Sequence, residues 1–216
     1  PEGYSELVFV IKGGLPPMWW LLFVLVFPMF MVTACQTPLP KQDFPELTWT
    51  HLSSYVFNVG KVEVVSKFSA PLEEPHIEHL LPFTVQVAAM NWGRDRVRAG
   101  GKAGGTVVFI VEDASVVEAP LQQQKEGVEG YFTDEQSERY DMKVKVRIKV
   151  RSGDRLSTGS VVAHAARTQT VPEDISLDQR ERVWFSMTEA LMRELNAVLE
   201  VNIPKHLTKF LLRNKN

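Results

Sequence analysis

Between residues 139 and 151 apolar and charged side chains alternate without a break. Tyr140, Met142, Val144, Val146, Ile148 and Val150 take one set of positions; Arg139, Asp141, Lys143, Lys145, Arg147, Lys149 and Arg151 take the other. Period two predicts a strand with one face buried and the other in water. Ser152, Gly153 and Asp154 supply turn chemistry, so residues 156–170 are expected to return as a fourth strand in a hairpin with this third one. Residues 55–65, rich in β-branched and aromatic side chains, predict a first strand with Gly60 at a bulge. Residues 106–117 predict a second strand, and their first half is apolar on both faces, as a central strand requires.

Two helices complete the pattern. Val85, Ala88, Ala89 and Trp92, continued by Arg96 or Val97, recur at spacings of three and four over 84–98, with Gly100 and Gly101 as the stop. Ser176 followed by Gln179 has the form of a capping box, and it opens a long helix whose apolar face is Trp184, Met187, Leu191, Leu195 and Val198. Pro204 ends or bends that helix, and a short amphipathic tail follows over 207–212. Residues 66–82 and 119–136 read as loops. The order is strand, helix, three strands, helix. Because the third strand keeps one face wet, both helices must cover the other. The expected fold is α+β: a two-layer sandwich of a four-stranded antiparallel sheet with two helices on one face.

A different pattern occupies the N-terminal part. Residues 15–34 carry no charge, and residues 18–32 are apolar throughout. A membrane-spanning helix needs about 20 apolar residues. This run is shorter and contains Pro28, which suits the core of a signal peptide better, with an uncleaved anchor as the alternative. The chain's one cysteine, Cys35, stands where the run ends. Val32, Thr33, Ala34 and Cys35 together resemble the lipobox of bacterial lipoproteins, with Val32 where Leu is commonest. The resemblance implies that Ala34 fits a signal peptidase, that the Cys35 thiol takes a diacylglycerol, and that cleavage leaves Cys35 as an acylated N-terminus. Each buried acyl methylene contributes about 0.8 kcal/mol, so several chains on one residue hold a domain at a bilayer. Residues 1–34 then read as a signal. Pro1 cannot initiate, so residues 1–17 either follow an upstream start or precede one at Met18. Pro38, Pro40 and Pro45 make residues 35–53 an extended, lipid-anchored tether, with Trp49 positioned to dock on the folded domain of 54–212.

The composition, 44% hydrophobic and 23% charged over 216 residues, is that of a globular chain with one domain and appendages. Its 24 basic and 26 acidic residues leave a net charge of −2, which argues against a nucleic-acid partner. One cysteine excludes an internal disulfide framework and a multi-cysteine zinc site. Against this neutral background Lys143, Lys145, Arg147, Lys149 and Arg151 form a positive comb. It suits anionic lipid headgroups, lipopolysaccharide phosphates or an acidic partner. The alternative is a solvated face whose cross-strand partners are Glu112, Glu118 or Asp141.

Other candidate chemistry is thin. Gly100, Gly101, Gly104 and Gly105 follow a helix and precede a strand, the reverse of a phosphate loop. His76 and His79, preceded by Glu73 and Glu74, would converge on a metal only in a helix, and Pro75 and Pro82 flank them. His164 falls in the fourth strand, on its polar face or as a bonded core histidine. Neighbouring acids such as Glu112 and Asp113, or Asp134 and Glu135, point to opposite faces of a strand. No catalytic residue, no metal ligand and no cofactor beyond a covalent lipid on Cys35 is expected. Lipobox, tether and domain layout together resemble two groups of small periplasmic lipoproteins, the lipopolysaccharide-assembly lipoprotein and the auxiliary lipoproteins of ABC-type lipid transporters. That resemblance implies a non-catalytic accessory that binds lipid or docks on an envelope protein. Gln36 after the cysteine implies sorting to the outer membrane, facing the periplasm. A metal-dependent periplasmic enzyme and a purely structural envelope lipoprotein are the alternatives.

Overall fold

The computed structural model describes residues 43–101, 104–121, 136–172 and 174–212. Val32, Thr33, Ala34, Cys35 and the signal lie outside the described residues. In chain order the elements are β1 (Tyr55–Phe57), β2 (Lys61–Ser66), α1 (Val85–Arg96), β3 (Val97–Ala99), β4 (Gly105–Asp113), β5 (Val116–Pro120), β6 (Gln136–Ser152), β7 (Thr158–Pro172) and α2 (Leu177–Leu207). No described helix is long and apolar enough to cross a membrane.

The alternating strand is the spine of the main sheet. β7 runs antiparallel along β6 as the expected hairpin, with Val144 opposite Ala165 and Arg151 opposite Thr158. The other side of β6 carries two strands end to end, β5 opposite residues 138–142 and β4 opposite residues 145–152. They occupy the place of the single strand expected at 106–117. The break falls at Ala114 and Ser115, where the Asp113 carboxylate accepts the Ser115 amide (3.1 Å) and turns the backbone.

β2 pairs with β4 in parallel, so the sheet is mixed and five-stranded instead of four-stranded and antiparallel. The reason is connectivity. The helix between β2 and β4 returns the chain to the end from which β2 started, so β4 can run beside β2 in the same direction. The first strand, expected over 55–65, is broken at residues 58–60. The Asn58 amide donates to the Phe210 carbonyl (2.7 Å), and β1 leaves the main sheet to pair with β3. Gly60 thus sits in a turn and not at a bulge. α1 ends at Arg96 and the chain continues directly into β3, before Gly100 is reached. Gly101 serves a close approach instead: its amide donates to the Val59 carbonyl (3.1 Å), and a Cβ there would lie 2.7 Å from backbone atoms of residues 58–59.

Both helices cover one face of the sheet. Trp92 of α1 stacks on Phe109 of β4 (5.5 Å between ring centroids), and Trp184 of α2 meets Tyr140 of β6 edge-on (5.6 Å). Thr188 is fully buried, and its hydroxyl is satisfied by the Trp184 carbonyl (2.9 Å). The capping box forms as its residues dictate: the Ser176 hydroxyl accepts the Gln179 amide (3.3 Å) and the Gln179 side chain accepts the Ser176 amide (3.1 Å). Leu199, more than Val198, continues the apolar stripe. α2 runs through Pro204, which forfeits one helix bond, to Leu207 instead of stopping at the proline.

Residues 43–53, read as the second half of the tether, lie on the helix layer as a strap. Phe44 stacks on Phe185 of α2 (5.1 Å). Glu46 accepts from the Asn91 side chain (2.8 Å), and the Trp49 amide donates to Asp95 (2.7 Å), both on α1. Trp49 docks, as its position suggested, and is buried.

Candidate functional site

The open face of the sheet carries the comb, and pairing register sets each cation in a row. Val65, Ile110, Arg147 and Val162 lie side by side across β2, β4, β6 and β7. The next rows are Glu63, Val108, Lys149 and Ser160, then Lys61, Thr106, Arg151 and Thr158. The apolar row around Arg147 is half-covered by its own neighbours, and Ile110 is buried there although it faces away from the helices.

The five cations are not equivalent. Glu112 takes both Arg147 and Lys145. The Arg147 Nη2 donates to Oε2 at 3.2 Å, its Nε donates to Oε1, and the Lys145 Nζ lies 3.4 Å from Oε2. The Arg147 hydrogen bonds hold the Glu112 carboxyl below its ordinary range, with Lys145 adding to the effect. Arg139 is taken by Asp141 (3.0 Å), which also accepts from the Thr168 hydroxyl (2.6 Å). Among the described residues, no carboxylate lies within ion-pair distance of Lys143, Lys149 or Arg151. Lys149 and Arg151 border a groove of about 580 Å³ with Glu63, Thr106, Val108 and Ser160. Unpaired positive charge therefore lies at Lys143 and, toward the β6–β7 turn, at Lys149 and Arg151, where hydroxyls stand beside it, while Glu112 offsets one of the two charges in the middle of the comb.

The histidine segment is not a solvated loop. Residues 75–78 run along the outer edge of β5: the Ile77 amide donates to the Val116 carbonyl (3.0 Å) and the Glu118 amide to the Pro75 carbonyl (2.9 Å). The Glu78 carboxylate is buried, accepts the Val116 amide (2.8 Å), and lies 3.1 Å from His76 Nδ1. His79 is exposed and does not join them. Among the described residues, no group of three or more His, Cys, Asp or Glu side chains is placed to hold a metal. His164 stands exposed on the open face, opposite Lys145.

Two polar clusters went unread in the sequence. Glu138 receives Arg180 (3.0 Å) and the Tyr140 hydroxyl (2.7 Å) at the far end of the sheet. Burial raises the Tyr140 hydroxyl, reinforced by its bond to Glu138, and burial also raises the Glu118 carboxyl, with Glu138 adding to it. The strand's own parity, which puts Glu138 on the same face as Tyr140 and Met142, was the available signal. The second cluster surrounds Arg96, which is buried at the end of α1. Its guanidinium lies 5.1 Å from the Tyr55 ring centroid and 5.6 Å from that of Trp92. It donates to Asn196 (3.1 Å) and Glu200 (3.3 Å) on α2. It ties the helices together.

The chain matches no protein-family model and no curated protein. Among solved structures it is similar to a Xanthomonas campestris protein of family DUF330, at 10% identity and a TM-score of 0.27, over 72% of this chain and 90% of that one. It is also similar to the PelC dodecamer from Paraburkholderia phytofirmans, at 16% identity and a TM-score of 0.21, over 65% of this chain and 91% of that one. Likenesses this distant carry no argument about this chain's fold or function.

Proposed function

We propose that the chain is a membrane-tethered periplasmic lipoprotein, anchored through acylated Cys35, that serves as a non-catalytic binding accessory in the envelope. Its working surface is the open sheet face, and the ligand is an anionic group of a lipid, of lipopolysaccharide or of an envelope protein. The observation that carries this reading is the opposite placement of strap and comb. The strap fixes the chain to the helix layer, on the side of the sheet away from Lys143, Lys149 and Arg151. Because the strap of residues 43–53 is bound to the helix layer, it leaves the cationic face uncovered for a partner. Gln36 supports the outer membrane as the anchoring bilayer.

The test is capture from crosslinked envelopes with a C-terminal tag, comparing wild type with a Lys149→Glu, Arg151→Glu variant. Recovery of a transport protein or outer-membrane barrel by the wild type, lost in the variant, is expected. Equal recovery by both removes the open face from the account.

A further inference from the structure

The turn that joins β6 to β7 is held on several sides. The Arg155 amide donates to the Ser152 carbonyl (3.0 Å), the Ser152 amide to the Ser157 carbonyl (2.9 Å), and the Leu156 amide to the Asp154 carboxylate (2.9 Å). Gly153 backs onto Gly104 so closely that a Cβ would lie 2.6 Å from the Gly104 carbonyl oxygen. Arg155 sits at φ 64°, the one non-glycine residue with positive φ among those described. Glycine fills that backbone position at no steric cost; here it holds a cation. Next to it stands Leu156, 87% exposed, more than any other large apolar residue described.

Cations surround this apolar tip. Arg151 and Lys149 follow it along β6. Lys209 comes from the helix layer: its ammonium lies 4.8 Å from the centre of the Phe210 ring, and that ring packs against Gly159 of β7. Among the described residues, none of Lys149, Arg151, Arg155 and Lys209 has a carboxylate within ion-pair distance. Glu63 is paired with Lys61 (2.8 Å), and Asp154 is turned to the Leu156 amide. Polarity therefore changes in order along the hairpin. Leu156 is outermost, with Arg155 and Arg151 beside it. Lys149 is two residues, about 7 Å, further back, among the hydroxyls of Thr106, Thr158 and Ser160. The Arg147–Glu112 pair comes last.

We propose that this end of the domain docks on a bilayer containing anionic phospholipid, with Leu156 entering the interface and the four cations meeting headgroup phosphates. A single exposed leucine is ordinary on a protein surface. This one is fixed at the tip of a held turn and ringed by unpaired cations. The order of polarity selects a bilayer over an acidic protein. A membrane surface offers phosphate first and acyl chain behind it, so an apolar tip reaches past the cations, whose long stems let their charged heads stay with the phosphates. The proposal deepens the open-face reading, with which it shares Lys149 and Arg151, by naming the ligand; Arg155, Leu156 and Lys209 belong to it alone.

The experiment uses the full chain held in phosphatidylcholine nanodiscs. Cys35→Ser with Leu156→Cys leaves one thiol, which carries an environment-sensitive nitrobenzoxadiazole label. The discs are titrated with vesicles of equimolar phosphatidylglycerol and phosphatidylcholine, or of phosphatidylcholine alone. The label should shift to the blue with the anionic vesicles only. The same label at Leu177→Cys, exposed at the opposite end of α2, should not shift. Each cation near an anionic surface contributes about fivefold, so Arg151→Gln with Arg155→Gln should weaken vesicle binding roughly 25-fold. Arg155→Gly separates docking from folding: it should melt no lower than wild type, since glycine suits that backbone, yet bind about fivefold more weakly. No shift with anionic vesicles overturns the proposal. So does a response as strong on phosphatidylcholine alone, or an Arg155→Gly variant that binds undiminished. If envelope capture depends on Lys149 and Arg151 while the vesicles give no shift, the partner is an acidic protein, and the open-face reading stands without this one.

Discussion

Arg147 grips Glu112 with two hydrogen bonds across the β4–β6 pair, and this one contact decides which cations of the comb are free. Glu112→Gln should release Arg147 and Lys145 and strengthen binding of anionic vesicles to the open face. The stability cost is small for a pair so near the surface. It has a definite pH dependence. The Glu112 carboxyl is depressed in the folded state, so its contribution is complete above the ordinary value of 4.5 and is lost as pH falls through the folded value. Denaturant unfolding of wild type and Glu112→Gln should differ at pH 7 and converge in acid. A difference that persists unchanged into acid contradicts the assignment.

Gly93 lies on the face of α1 that meets β4. A Cβ there would come within 2.6 Å of the Phe109 ring, which is already stacked on Trp92. Two effects compete in Gly93→Ala. Helix propensity favours Ala by about 1 kcal/mol. Overpacking costs about 1–3 kcal/mol, and a ring held by stacking has little room to yield. Clash should win, lowering the thermal midpoint. Adding Phe109→Leu, which clears the space, should make Gly93→Ala less harmful than it is alone. A stabilised single variant would show that α1 does not pack on β4 this closely.

Glu78 clamps residues 75–78 to the edge of β5. One carboxylate oxygen accepts the Val116 amide, and the other has no partner among the described residues. Glu78→Ala leaves a buried amide unpaired, a loss of about 1–3 kcal/mol. Hydrogen exchange should accelerate at Val116, Ile77 and Glu118 while the amides of β6 keep their protection. Glu78→Gln retains an acceptor oxygen and should behave close to wild type. Unchanged exchange at Val116 in Glu78→Ala would remove the clamp.

What the sequence disclosed is what period and capping encode. The alternation from Tyr140 to Val150 set β6, its buried face and the parity of every cation on it. Ser176 and Gln179 set the start of α2, and the charged face of β6 required both helices on the opposite side. Connectivity across the sheet was less legible. The parallel pairing of β2 with β4 was implied by the helix between them, but an apolar strand pairs equally well in either direction. The break at Ala114 did leave a local signal, Asp113 and Ser115 with their turn chemistry, but the apolar runs 107–111 and 116–117 around it read as one strand. Partner choice was hidden more deeply. Glu112, Glu118 and Asp141 were equivalent candidates along the chain, and only register brings Glu112 to Arg147. Glu78 lies in a polar, proline-rich stretch that reads as solvated, and its burial follows from the free edge of β5, which no local pattern announces. Prolines marked the strap as extended and Trp49 was expected to dock, but nothing along the chain showed that Phe44 stacks on Phe185 and binds it to α2 as well.

The central claim concerns the sulfur of Cys35, and mass spectrometry of the protein isolated from its native membranes tests it directly. The account requires a mature chain beginning at Cys35, heavier than its sequence by a diacylglyceryl group and an amide-linked acyl chain. A chain that retains residues 18–34 and carries an unmodified thiol at position 35 would contradict it.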